Sequence, residues 1–195
     1  DVVAASRFQT KLWNIFRFIM GHIGEEGNLE APVTELIDQW LLVQLSDTVA
    51  EVTAAMEAYQ FDRALKVLRE FAWSTLADDY IEIVKGRLYS KEESRASACG
   101  ALMTTMDVLC RLLAPIIPHF AEECFHNLTG RSVHGEVWPE FVYDDGEVRR
   151  QGDLLVRTVA ELRRYKHDQG MALNAPLGHV IIYAPELVDD SGDVG

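Results

Sequence analysis

Leu45-Ser46-Asp47-Thr48-Val49-Ala50-Glu51-Val52-Thr53-Ala54-Ala55-Met56-Glu57-Ala58-Tyr59 decides the fold class. Its apolar residues Leu45, Val49, Val52, Met56 and Tyr59 follow one another by four, three, four and three. That spacing lines one face of a helix and is wrong for a strand, whose faces alternate every second residue. The stripe must be covered by other elements, so a helical partner is expected on either side.

Both sides supply one. Upstream, residues 3–24 place Phe8, Leu12, Ile15, Phe16 and Ile19 at helical spacing, and Gly21, Gly24 and Gly27 end the run before a loop at 28–32. The helix carrying the opening stripe spans 33–59. Downstream, residues 61–90 carry Phe61, Leu65, Leu68, Ala72 and Leu76, with Asp62 suited to a helix N-terminus. Residues 92–114 form a fourth helix with Leu102, Met106, Leu109 and Leu113 on one face. Pro115 and Pro118 must interrupt it, since each lacks a backbone donor and crowds the preceding turn. A short helix at 119–128 follows, then an irregular stretch to 146 with Gly130, Gly135, Pro139 and Gly146. Residues 147–169 form another long helix with Leu155, Val159 and Leu162 inward, and Val180–Tyr183 is a β-type run.

The expected architecture is all-α: an antiparallel helix bundle over residues 1–146. The start of a C-terminal α/β appendage is expected over 147–184, and a disordered acidic tail over 185–195.

Composition narrows the function classes. No window approaches the roughly 18 to 20 apolar residues of a membrane span. Cys99, Cys110 and Cys124 are odd in number and lack CxxC spacing, which argues against a disulfide framework or zinc site and for a cytoplasmic protein with buried thiols. The start Asp1-Val2-Val3 has no signal-peptide pattern and reads as the middle of a longer protein. The net charge is −13, with 13 Arg against 5 Lys. Such acidity ordinarily argues against nucleic-acid binding. It also suits a salt-rich cytoplasm, where carboxylates keep a surface hydrated while salt screens charge.

Few motifs carry chemistry. Gly21-His22-Ile23-Gly24 resembles the HIGH nucleotide motif only until Glu25, and no KMSKS-like loop occurs. Both halves of an ATP-activating site are therefore lacking. His119 with Glu122 and Glu123 offers no evident third metal ligand. Glu92-Glu93 and Asp78-Asp79 read as solvated helix faces rather than acid–base pairs. No catalytic residue and no metal site is assigned.

The first helix is more informative. Lys11, Asn14 and Phe18 recur at three and four residues and share a face, which Arg7 extends. A cation, an amide and an aromatic suit single-stranded RNA: Lys takes a phosphate, Asn a base edge, and Phe stacks an unpaired base. Spacing alone favours a plainer reading, with Phe18 in the core and Lys11 a solvated charge. A second basic cluster is Lys85, Arg87, Lys91 and Arg95, where a helix C-terminus suffices as explanation and RNA contact comes second. A third is Arg157, Arg163, Arg164 and Lys166, suited to phosphates or another domain.

Several stretches resemble, in order, the anticodon-binding bundle of class I aminoacyl-tRNA synthetases, the valyl branch in particular. They begin with Lys11-Leu12-Trp13-Asn14 and Arg17-Phe18, then Asp38-Gln39-Trp40-Leu41-Leu42 and Tyr59-Gln60-Phe61-Asp62-Arg63-Ala64. Ala72-Trp73 with Asp78-Asp79-Tyr80-Ile81-Glu82-Ile83-Val84-Lys85 follows, then Leu112 through Glu123, with its two prolines, and Val137-Trp138-Pro139. Arg164-Tyr165-Lys166 through Leu173-Asn174-Ala175-Pro176-Leu177 resembles the archaeal-type segment. The matches span most of 7–184. Isoleucyl, leucyl and methionyl enzymes share the bundle, and the stretch 78–85 with Leu173–Leu177 favours valyl. The departure is Cys124-Phe125, where the family usually carries an aliphatic-Trp pair.

The resemblance implies a non-catalytic fragment that grips a tRNA anticodon stem-loop. The intact enzyme would join valine to tRNA with ATP and Mg²⁺, through a catalytic domain of the same chain. It implies RNA contacts at Lys11, Asn14 and Phe18, with Arg17, Tyr80, Lys85 and Arg87 after them, while Arg7 joins the set by spacing alone. No membrane or DNA partner is implied. A helical protein-interaction module is the rival from a different class.

Overall fold

The computed structural model describes residues 2–23, 32–90 and 94–183, with side chains from Arg7 onward. Seven α-helices follow one another among them: α1 (Val2–Ile23), α2 (Leu36–Glu57), α3 (Phe61–Glu70), α4 (Glu82–Tyr89), α5 (Ser94–Leu113), α6 (Pro118–Thr129) and α7 (Gly146–Asp168). A π-helical segment, Phe71–Ile81, joins α3 to α4, so 61–89 is one continuous rod.

The sequence explains that segment. Ala64, Leu68, Ala72, Leu76, Tyr80, Val84 and Leu88 recur every fourth residue, and all seven are buried. An α-helix has 3.6 residues per turn, so a spacing of four drifts round the rod by about 40° at each step. Wider π turns, with bonds reaching one residue further, take that drift back out. The stripe therefore stays on the core for the rod's whole length. Phe61, expected inward from α spacing, is exposed instead, and Leu65 is half-buried.

Helices α2 and α5 are the centre. On α2, Leu41, Val43, Leu45 and Val52 are fully buried, and on α5 Leu102, Leu109, Leu112 and Leu113 are buried at its heart. Each such side chain contributes roughly 1.5–3 kcal/mol through removal from water. Helix α5 is long and apolar enough to pass for a membrane span, contrary to the expectation from composition, but 78% of that stretch is buried inside the protein. It is the core helix of the bundle.

Turn chemistry closes the helices. Pro118 opens α6, where its missing N–H is no loss. Gly130 ends it at φ 72°, in the left-handed region. Tyr59 ends α2 in the same region, at φ 56°, without being glycine. The Gln60 N–H donates to the Ala55 carbonyl and the Tyr59 N–H to that of Met56, a Schellman closure. That geometry throws Tyr59 out to 81% exposure, so the last residue of the opening stripe leaves the core.

Helix α7, expected to begin an appendage, packs along α2. Trp40 Nε1 donates to Asp153 Oδ1 at 2.8 Å. A Cβ on Gly152 would lie 2.3 Å from Trp40 Cδ1, so only glycine permits the approach. Arg149 pairs with Asp47, and the Tyr143 N–H donates to Ser46 Oγ. The β-type run at 180–183 forms no strand among the described residues. The departure Cys124-Phe125 is fully buried. Hydrogen bonding with Cys124, reinforced by burial, pushes the Cys110 thiol well up. Residues 28–31 of the loop expected at 28–32, Gly24 and Gly27, Lys91, the Glu92-Glu93 pair and the tail 185–195 lie outside the described residues.

Candidate RNA-binding face

Helix α1 buries Phe8, Leu12, Ile15, Phe16, Ile19 and Ile23 against the bundle. At 100° per residue, Arg7, Lys11, Asn14 and Phe18 fall on its outer flank. Arg7 and Asn14 are exposed, while Lys11 and Phe18 are half-buried. Arg17 is exposed but turns about 100° from Phe18, off that stripe.

Lys11 is not a free cation. Its Nζ donates to Asp78 Oδ1 at 3.1 Å and lies 5.2 Å from the Trp73 ring centroid. The π segment supplies both partners. Arg163, on α7, donates to the Asp78 carbonyl at 3.1 Å, so one residue holds cations from two helices. Burial and the neighbouring Asp78 raise the Asp79 carboxyl, and Arg163 partly opposes them.

Phe18 continues into an aromatic row. Its ring stacks at a tilt on His22, centroids 4.2 Å apart. The His22 Nδ1–H donates to the Phe18 carbonyl at 2.7 Å. His22 meets Tyr89 edge-on, at 4.6 Å and 84°. Neither His22 nor Tyr89 was expected from the sequence, since nothing in linear spacing brings the ends of α1 and α4 together.

Two expected contacts are structural. Tyr80 is wholly buried, which removes it from any RNA surface in this conformation. Its hydroxyl donates to Asp38 Oδ1 at 2.8 Å, and burial, then the Asp38 charge, push the phenol well above its ordinary range. Arg87 donates to the same Asp38 oxygen and to the Ser94 carbonyl, and lies 3.9 Å from Glu35. Asp38 is a buried carboxylate in a helical core, and Arg87 supplies its countercharge.

The remaining cations divide. Lys85 pairs with Glu82 at 3.4 Å and stays about half exposed. Arg95 donates to the His22 and Leu88 carbonyls, satisfying the ends of α1 and α4 as expected of a cation at helix C-termini. Lys166 donates to the Leu173 and Ala175 carbonyls, both at 2.7 Å, so it clamps the following turn. Arg164 lies 3.5 Å from Glu161, both well exposed.

Glu122, whose spacing from His119 suits a metal ligand, accepts from Ser132 Oγ and the Val133 N–H and so fixes the loop after α6. Among the described residues no three His, Cys, Asp or Glu side chains gather where they could hold a metal.

Residues 38–182 match the sequence model of a family described as the anticodon-binding domain of tRNA ligase. Similar curated proteins include the valine–tRNA ligase of Methanothrix thermoacetophila, 48% identical over 184 residues, which cover 94% of this chain and 21% of that protein. The valine–tRNA ligase of Archaeoglobus fulgidus is 44% identical over 189 residues, 94% of this chain and 22% of that protein. That of Natronomonas pharaonis is 40% identical over 189 residues, 95% of this chain and 22% of that protein. The chain thus spans about a fifth of the length of the curated relatives it matches.

Proposed function

The chain belongs to the anticodon-binding domain family of tRNA ligases, and from that premise we propose that it grips the anticodon stem-loop of a valine tRNA. The observation that carries the reading is the outer flank of α1, with Arg7, Lys11, Asn14 and Phe18 turned away from the core residues of the same helix. Lys11 takes a loop phosphate, Asn14 hydrogen-bonds a base edge, and the aromatic row that starts at Phe18 stacks an unpaired base.

The proposed parent is a cytoplasmic valine–tRNA ligase that uses ATP and Mg²⁺ in a catalytic domain of the same chain. Identity to three valine–tRNA ligases supports that label. The residues at hand do not fit an ATP site: Gly21-His22-Ile23-Gly24 continues with Glu25, and no KMSKS-like loop is present in the sequence. Their part is to hold RNA and set its angle. The charge of −13 and the preference for Arg over Lys suit a salt-rich cytoplasm.

High salt shifts the balance of forces. Counterion release on phosphate contact loses its drive as log salt rises, whereas stacking is worth roughly 1–3 kcal/mol per base with little salt dependence. Binding to a valine tRNA transcript and to an anticodon-swapped control, each across a salt titration, tests the reading. Tighter binding to the valine anticodon is expected. The Lys11→Ala penalty should shrink with salt while the Phe18→Ala penalty persists. Equal binding to both transcripts would instead favour a general helical interaction module.

A further inference from the structure

The ring on α1 singled out for stacking is not the one most open to a base. Phe18 is half-buried against the core, and its ring stacks at a tilt on His22, with centroids only 4.2 Å apart. The His22 ring is held in place beside it by a hydrogen bond to the Phe18 carbonyl at 2.7 Å. The His22 carbonyl in turn receives Arg95. The row runs outward from Phe18 to His22 to Tyr89, and only Tyr89 is broadly exposed, at 68%.

Tyr89 is also firmly seated. It ends α4, where the Ser90 N–H and Ser90 Oγ both donate to the Arg87 carbonyl and Arg95 Nε donates to that of Leu88. An exposed aromatic is unremarkable on its own. This one is backed edge-on by a fixed ring and lies where the α1 flank meets the end of α4. Lys85 precedes it by four residues, so both occupy one face of α4. A ring and a cation spaced by one helical turn match a stacked base and its neighbouring phosphate.

We propose that Tyr89 is the platform on which an unpaired nucleobase of a single-stranded RNA loop stacks. His22 and Phe18 back its ring, and Lys85 takes the adjoining phosphate. The proposal rests on the RNA-binding reading above and adds a residue, and a second helix, to it.

The test uses the 195-residue chain and anticodon stem-loop RNAs of a valine tRNA carrying 2-aminopurine at each unpaired position in turn. One position is quenched by the wild-type protein and by Tyr89→Phe. With Tyr89→Leu that quenching is lost and Kd rises about 5- to 150-fold. Lys85→Ala weakens binding at low salt and leaves the quenching in place. Far-ultraviolet circular dichroism and a denaturant melt of Tyr89→Leu should match wild type, because that side chain faces solvent. Wild-type affinity and quenching in Tyr89→Leu, alongside loss of both in Phe18→Leu, overturns the assignment and leaves RNA binding intact. Failure of the wild-type chain to bind any of these RNAs overturns the RNA-binding reading, and Tyr89's role with it.

Discussion

Lys11 and Asp78, 67 positions apart in the chain, meet at 3.1 Å across the gap between α1 and the π-helical segment. Asp78 is well exposed and Lys11 partly so, and the pair adds little to stability, in the range of about 0–1 kcal/mol. Its consequence is for binding. Lys11 must leave Asp78 before it can take a phosphate, and the same carboxylate repels the RNA that approaches.

Asp78→Asn should therefore tighten anticodon stem-loop binding at low salt, by up to about fivefold on the strength of an exposed ion pair. Most of that gain should disappear in a Lys11→Ala background. An equal gain in both backgrounds would mean that Asp78 acts only through general repulsion. Kd values for the four proteins of the cycle, measured at two salt concentrations, decide between these outcomes.

The buried pair of Asp38 and Arg87 gives an ordering of stabilities. Arg87→Ala strands a carboxylate with no exposure, at a cost of roughly 3–5 kcal/mol. Tyr80→Phe removes one hydrogen bond to the carboxylate and leaves the ion pair, so about 1.5–3 kcal/mol is expected. Urea unfolding measures both. RNA affinity under fully folded conditions should be unchanged in Tyr80→Phe, because Tyr80 has no surface to offer. A loss of affinity there would return it to the contact surface.

Much of this was readable in the sequence, and the failures share a cause. Helix positions follow from apolar spacing, and each expected helix lies within a few residues of an observed one. The run Ala64 to Leu88 at strict intervals of four was equally readable, yet α spacing joins Phe61 and Leu65 to Leu68, Ala72 and Leu76 and leaves out Ala64 and Tyr80. The α1 flank follows from spacing because it involves one helix. Tyr80 and Arg87 could not be placed that way. Whether a polar residue at a helix face meets water or a buried Asp38 depends on the element packed opposite, 42 and 49 positions away. Tyr89 was missed for the same reason: its significance comes from His22, on another helix.

Gly152 sets how closely α7 approaches α2. Gly152→Ala places a methyl group within 2.3 Å of the Trp40 ring and should destabilise by about 1–3 kcal/mol through overpacking. Removing the ring by Trp40→Ala opens a cavity costing roughly 3–5 kcal/mol, and it removes the two nearest clashing atoms while leaving the Trp40 Cβ, 2.6 Å from the added methyl. The two effects should thus be non-additive, with Gly152→Ala costing clearly less in the Trp40→Ala background, where only the Cβ contact remains and the cavity lets it relax. Additive losses would show that the contact is not the reason for glycine.

Asp79 predicts a pH dependence of defined sign. Burial and the adjacent Asp78 raise its carboxyl above the ordinary Asp value in the folded protein. The folded state then binds that proton more tightly than the unfolded chain, so stability rises as pH falls through the raised value. At neutral pH the ionised carboxylate is a standing cost, only partly offset by Arg163. Asp79→Asn should accordingly raise the unfolding free energy at pH 7. The advantage over wild type should shrink as pH falls through the carboxylate range and level off below the unfolded Asp value. Paired denaturant melts from pH 7 to pH 3 read this directly. A destabilised Asp79→Asn at pH 7 would mean that attraction to Arg163 outweighs burial and repulsion, reversing the assigned sign.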